Sequence, residues 1–155
     1  MKRSLLLTML ALLGAAPAFA PAAAPAGGSA AAQARATLTV RSSDFGRILF
    51  DGRGYALYAF TRDPSGRSAC TGACATAWPP YILRAGQTLR AGSGTTSALL
   101  GTTRRNDGAR QVTYAGRPLY YYVGDRRPGQ VLCQNIREFG GLWLVVRTSG
   151  SLVRG

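Results

Sequence analysis

The chain has 155 residues, the length of one modest domain, and carries 19 basic side chains against 6 acidic ones. It contains no histidine, which excludes Ser-His-Asp and Cys-His catalysis and histidine-ligated haem or copper. Its net charge of +13 favours anionic partners such as an acidic envelope ligand or an acidic protein.

The first twenty residues are predicted to be a secretory signal peptide. A basic start, Lys2-Arg3, precedes the apolar run Leu5–Leu13, which is too short to span a bilayer, and Ala18-Phe19-Ala20 is typical of a cleavage site. We therefore expect a periplasmic or secreted protein, cleaved after Ala20, in a compartment that permits disulfides. Without this peptide the chain keeps 17 arginines against six carboxylates, a net charge of +11.

Residues 21–37 are rich in Ala, Pro and Gly and are predicted to form a flexible linker. The folded domain is expected over residues 38–148, with a C-terminal tail at 149–155. No later apolar run is long enough to cross a membrane. The sequence shows no nucleic-acid fold signature, so we expect no specific nucleic-acid partner, and it leaves the oligomeric state open.

Two segments of the domain resemble each other, RILFDGRGYALYAFTRD at 47–63 and RQVTYAGRPLYYYVGD at 110–125. Each has an apolar strand, a glycine-containing turn and a second strand that reads Leu-Tyr-x-aromatic-x-x-Asp, which is the pattern of a β-hairpin. The sequence therefore predicts an all-β fold, a small antiparallel sheet or sandwich-like domain built from two related hairpin repeats at about 44–83 and 110–147.

The aromatic residues of these repeats are predicted to build the core. Alternation within each second strand places Tyr58 and Phe60 on one face in the first repeat, and Tyr120 and Tyr122 on one face in the second. Later strands are expected at 78–83 and 142–147, and each contains one tryptophan that should pack inside. These tryptophans are Trp78 and Trp143.

Asp63 and Asp125 end the two motif strands and precede turn sequences rich in Pro and Gly. Such aspartates usually accept hydrogen bonds from turn N–H groups, and we expect that role here. A paired-carboxylate site of the glycosidase type is the alternative if the two side chains approach each other.

Several blocks, which in chain order are LYxFxxD, SACTGACATAWPP, LYxYxxD and EFGGLWLVV, resemble the bacterial secreted-repeat family, also described as predicted lipoproteins with a Yx(FWY)xxD motif. The resemblance covers residues 44–148 and implies no established reaction. It brings loose associations with alkane catabolism and with a respiratory or redox setting. No lipobox cysteine precedes Cys70, so we expect no lipid anchor.

The three cysteines, Cys70, Cys74 and Cys133, are too few for a tetrahedral zinc site, and we expect neither a metal nor another cofactor. A Cys70–Cys74 disulfide would close a short loop and contribute about 2 kcal/mol, whereas a bridge from either residue to Cys133 would contribute about 4 kcal/mol. Family members that carry only the first two cysteines favour the close pair, which leaves Cys133 as an odd thiol.

Two functions follow as hypotheses. The first is a non-catalytic binding module that presents arginines together with Tyr55, Tyr81, Tyr114 and Tyr121 to an anionic partner. The second is a thiol-redox or electron-transfer accessory protein that works through the three cysteines. No residue is predicted to be catalytic, because each familiar constellation lacks a histidine, a lysine or the required spacing.

Overall fold

The computed structural model describes residues 35–154, so the predicted signal peptide and most of the linker lie outside the described residues. Within that range it has nine strands, one short α-helix and one 3-10 helix. In chain order they are β1 (Arg35–Ser43), β2 (Gly46–Asp51), β3 (Tyr58–Phe60), α1 (Ala73–Ala77), β4 (Thr88–Ala91), the 3-10 helix (Ser97–Leu99), β5 (Leu100–Arg104), β6 (Arg110–Tyr114), β7 (Arg117–Pro118), β8 (Ile136–Glu138) and β9 (Gly141–Val145).

The strands form three small sheets, ordered β2-β1-β4, β3-β9-β8 and β5-β6-β7. All ladders are antiparallel except the one between β1 and β4, which is parallel. The prediction of an all-β fold with two related halves is confirmed. The parallel pair had no counterpart in the prediction, because it joins residues about fifty positions apart that share no local pattern.

Both ends of the predicted domain differ from the structure. β1 begins inside the predicted linker, and Ala36 and Leu38 are buried. Residues 149–154, predicted to be a tail, turn back along β9, where the Val153 N–H donates to the Val145 carbonyl and the Val153 side chain is buried. At each end of the domain the alternation of apolar and polar residues is too short to distinguish an edge strand from a loop by sequence alone.

The turns of the hairpins follow their sequences closely. Ala115 and Gly116 both have positive φ, 49° and 72°, which is the geometry of the tight turn that joins β6 to β7. In the first repeat the Asp51 carboxylate accepts from the Arg53 and Tyr55 N–H groups and shapes the loop after β2. Glycine or a short polar side chain therefore sets the chain reversal in both repeats.

Each repeat completes the other. β9 of the second repeat pairs with β3 of the first, with Phe60 opposite Trp143, and in the reverse sense Pro80 of the first repeat bridges to Tyr120 of the second. At the centre the Tyr58 and Tyr120 backbones exchange two N–H···O bonds of 2.9 Å. This exchange is the centre of an approximate twofold relation between the repeats, and the sheet β3-β9-β8 is built from strands of both.

The segment predicted as a strand at 78–83 forms only single-residue bridges, at Pro80 and Ile82. Pro79 and Pro80 have no N–H to donate, so a continuous ladder cannot form there. Among the described residues, no helix combines the length and the hydrophobicity that crossing a bilayer requires.

Candidate functional site

The motif tyrosines and aspartates bond to each other across the two repeats. The Tyr58 hydroxyl donates to Asp125 Oδ2 at 2.7 Å, and the Tyr120 hydroxyl donates to Asp63 Oδ2 at 2.7 Å. The tyrosine of one motif thus meets the aspartate of the other. This reciprocal pair extends the approximate twofold relation from the backbone to the side chains.

The second oxygen of each aspartate holds a loop that carries a cysteine. Asp63 Oδ1 accepts from the Ala69 N–H at 2.7 Å, and Asp125 Oδ1 accepts from the Leu132 N–H at 3.0 Å. Ala69 and Leu132 directly precede Cys70 and Cys133, so Cys133 occupies the place of Cys70 in the second repeat. The aspartates therefore accept N–H groups, as expected, but from these loops and not from the adjoining turns.

All four oxygens of Asp63 and Asp125 are engaged in this way. Burial raises the pKa of each carboxyl against the opposing effect of its tyrosine and N–H donors. Burial likewise raises the pKa of both partner tyrosines. A glycosidase-type pair needs one carboxyl to reach the leaving group and the other to reach water or substrate, and this geometry does not favour it.

The remaining motif residues form one column of four rings, of which three are buried and Tyr122 is half-buried. The ring centroids of Phe60 and Trp143 are 4.2 Å apart, and those of Trp143 and Trp78 are 4.0 Å apart at an interplanar angle of 3°. Tyr122 ends the column, with its ring centroid 4.7 Å from that of Trp78. Tyr58 and Tyr120 meet the two indoles edge-on. Alternating residues from both repeats thus form one aromatic core, as large rings on a shared face tend to do.

The two indole N–H groups differ in their hydrogen bonding. Trp78 Nε1 donates to Glu138 Oε2 at 2.7 Å, whereas Trp143 Nε1 is buried and has no partner among the described residues. Glu138 has no counterpart carboxylate in the first repeat, where the cysteine loop reads SACTGACATA. The asymmetry therefore follows from the divergence of the two cysteine loops.

Cys70 and Cys74 form a disulfide, with their Cα atoms 5.3 Å apart, at the start of α1. Both residues are buried against the ring column. Cys133 is free and half-buried. Burial raises the pKa of the Cys133 thiol, so the thiol is protonated at neutral pH and a weak nucleophile.

Arg105 is a buried residue that the sequence did not single out. Its guanidinium donates to Ser68 Oγ, to Gln111 Oε1 and to the Cys70 carbonyl, at 2.7, 2.7 and 2.8 Å. It ties the disulfide loop to β6 of the second repeat. An arginine beside an Asn-Asp-Gly turn has the appearance of a surface residue, so only its tertiary contacts reveal this role.

A family model described as a secreted repeat of unknown function matches residues 39–81 and 101–147. The chain belongs to this family. The two matched segments correspond to the two repeats, although each begins earlier than predicted, so that most of β1 and β5 are included. No curated protein and no solved structure matches the chain.

In this member of the secreted-repeat family, two of the tyrosines predicted to present a binding surface are buried. Tyr81 and Tyr114 are 8% and 0% exposed, and their hydroxyls donate to the carbonyls of Thr37 and Thr148. Their predicted surface role was wrong, because both rings pack in the second, largely aliphatic core cluster. Local alternation could not reveal this, since the residues that bury these two rings come from distant parts of the chain.

Tyr55 and Tyr121 lie partly exposed under Arg53, whose guanidinium carbon is 5.1 and 5.8 Å from the two ring centroids. Tyr121 also donates to Asp51 Oδ2, and Arg53 forms an ion pair with that carboxylate at 2.9 Å. The predicted combination of tyrosine and arginine at the surface is therefore present at one place, but its charges are already paired.

Exposed basic side chains outnumber exposed acidic ones in the secreted-repeat domain, where Asp44, Asp107 and Glu138 are the exposed carboxylates within residues 36–154. Arg105 is the one buried arginine within residues 36–154, and the other fifteen in that range are exposed. Five of the six carboxylates accept hydrogen bonds from within the domain, and Asp44 is the exception among the described residues. The outer surface is consequently dominated by positive charge.

An open groove of about 730 Å³ lies between β4 and β5, and a smaller cavity of about 170 Å³ lies beside Asp63. No group of three or more Cys, Asp or Glu side chains in the described part of the chain is placed to hold a metal ion. The groove is lined by residues of both edge strands and includes Arg90 and Arg110.

Proposed function

We propose that the protein is an exported, non-catalytic binding module of the cell envelope that recognises an anionic partner through its exposed arginines. The single observation that carries this proposal is the excess of exposed arginines over the three exposed carboxylates within residues 36–154. Carboxylates are used to hold the fold together, while fifteen arginines remain exposed within residues 36–154. Such a surface attracts anions over the range of the Debye length.

Two features of the interior support a non-catalytic role. All the side-chain oxygens of the motif aspartates accept hydrogen bonds, either from the tyrosine of the other repeat or from a cysteine loop. The disulfide is buried, and the odd thiol is half-buried with a raised pKa. A thiol-redox role needs an accessible cysteine of low pKa, so the geometry does not favour that alternative. Nothing in the arrangement of residues 35–154 supports the loose family association with alkane catabolism.

The test uses the exported protein with two polyanions as probes, heparin as an anionic glycan and poly-L-glutamate as an acidic polypeptide, and neutral dextran as the control. Binding is measured by isothermal titration at 50 and 500 mM salt. We expect at least one polyanion to bind at low salt and to lose at least about tenfold in affinity at high salt. Failure of both polyanions to bind at 50 mM salt would overturn the proposal.

A further inference from the structure

The groove lies between two sheet edges. β4 is the outer strand of one sheet, where it pairs with β1, and β5 is the outer strand of another, where it pairs with β6. No ladder joins β4 to β5 in the described part of the chain. Unpaired edges present rows of N–H and C=O groups that can pair with a further strand.

The backbone direction of β4 follows from its bonds to β1. The Gly92 N–H donates to the Leu38 carbonyl, so Gly92 and the residues two and four positions before it face β1. Leu89 and Ala91 alternate with them, and their N–H and C=O groups point away from β1. Both residues line the groove, so this edge is open to a ligand.

The same reasoning applies to β5. The Arg105 N–H donates to the Ala109 carbonyl and the Ala115 N–H donates to the Leu99 carbonyl, which places every second residue between 99 and 105 toward β6. Leu100 and Thr102 alternate with them and line the opposite wall of the groove. The Leu100 N–H is used by the Ser97 carbonyl, which leaves Thr102 as the open position of this wall.

The side chains of the groove combine apolar and positive groups. Leu83 is buried at 6% exposure, and Leu89 and Leu100 are half-buried. Arg90 and Arg110 are exposed, and none of the lining residues is a carboxylate. An occupant that alternates apolar and acidic side chains would match both the pleat of an added strand and this charge.

We propose that the groove binds an extended acidic segment of another protein, which adds to the β4 edge as a strand and places its carboxylates beside Arg90 and Arg110. This inference rests on the proposed function and names the class of partner. A second copy of the chain fits less well, because its own Arg90 would approach the same arginines. The chain's own residues 21–34 contain no carboxylate to meet them.

The experiment titrates the isotope-labelled exported protein with an acetylated octapeptide of alternating valine and glutamate, and with the valine–lysine octapeptide as the control. Amide shifts and hydrogen exchange are followed by NMR. We expect the acidic peptide to shift the amides of β4 and Thr102 most, and to slow exchange at Leu89 and Ala91 by at least about tenfold. The lysine peptide should leave these amides unchanged.

Two pairs of charge reversals locate the site. Arg90→Glu with Arg110→Glu should weaken peptide binding at least about tenfold, whereas Arg126→Glu with Arg127→Glu, which makes the same change in charge outside the groove, should weaken it by less than about threefold. Ala91→Pro removes one outward N–H, a change that an edge strand tolerates, and should also weaken binding.

Binding of the peptide away from β4, or equal losses in both pairs of reversals, would overturn the inference. Self-association of the free protein through β4, detected by sedimentation, would overturn it as well. If heparin or poly-L-glutamate binds while the octapeptide does not shift the β4 amides, the inference fails and the proposed function stands. If neither polyanion binds, the proposed function fails first.

Discussion

At the scale of single residues, the reciprocal bonds between tyrosine and aspartate hold the two repeats in register. Tyr58→Phe removes the donor to Asp125 Oδ2 and leaves a buried carboxylate oxygen without its partner. We expect the free energy of unfolding to fall by about 1–3 kcal/mol, measured by urea denaturation. Tyr55→Phe is the matched control, because its hydroxyl makes only an exposed 3.4 Å contact with the Arg126 carbonyl. Equal effects of the two changes would contradict this account.

The buried tyrosines also predict how stability depends on pH. Burial raises the pKa of Tyr81 to about 12, and it raises the pKa of Tyr58, Tyr120 and Tyr121 as well. Tyrosine in an unfolded chain ionises near pH 10. Both states are neutral below that pH, whereas above it only the unfolded state loses its protons, so stability should fall steadily.

This expectation is checked by following tyrosinate absorbance and circular dichroism together from pH 9 upward. These four tyrosines should ionise only as the fold is lost. Full ionisation of all seven tyrosines near pH 10 with the fold intact would show that these rings are not buried.

The state of the odd thiol is a third expectation at this scale. Cys133 is half-buried and its pKa is raised mainly by burial, so little thiolate exists at neutral pH. We expect iodoacetamide to alkylate it more slowly than free cysteine at pH 7.5, and at the rate of free cysteine in guanidinium chloride. Alkylation in the folded protein as fast as that of free cysteine would instead support the thiol-redox alternative.

At the scale of elements, the disulfide stabilises the short loop that leads into α1. Replacing both Cys70 and Cys74 by serine should lower the free energy of unfolding by about 2 kcal/mol in the chain-entropy description, with an added cost for placing hydroxyls at buried positions. Thermal denaturation of this variant is compared with that of Cys133→Ser, which breaks no bridge. A larger loss in the Cys133→Ser variant would contradict the assignment of roles.

At the scale of the whole molecule, the crossed pairing makes the repeats interdependent. Phe60 of the first repeat pairs with Trp143 of the second, and the ring column takes members from both. We expect a fragment of residues 35–96 and one of residues 97–154 each to be unfolded alone, and their mixture to regain the amide spectrum of the intact chain. The spread of amide chemical shifts in the NMR spectra of each fragment and of the mixture measures folding. A fragment that folds alone would contradict the interdependence of the repeats.

The parts of the fold that could be predicted from sequence are those that local patterns encode. The hairpin turn at Ala115-Gly116 is predicted because a glycine between two apolar strands tolerates the positive φ that a tight turn requires. The burial of the two tryptophans is predicted because large apolar side chains are usually placed inside. The likeness of the two repeats was visible because the same residue types recur at the same spacing. The place of Cys133 as the counterpart of Cys70 followed from that repeat.

What the tertiary structure alone decided depends on contacts between distant positions. Tyr58 meets Asp125, Trp78 stacks on Trp143 and β1 lies parallel to β4, and each of these contacts joins residues at least fifty positions apart. Burial of Tyr81 and Arg105 and the open edges of the groove have the same origin. Local propensity determines which strands and turns form, whereas the side chains that meet across them are selected by packing of the whole domain. That packing leaves every arginine within residues 36–154 except Arg105 exposed.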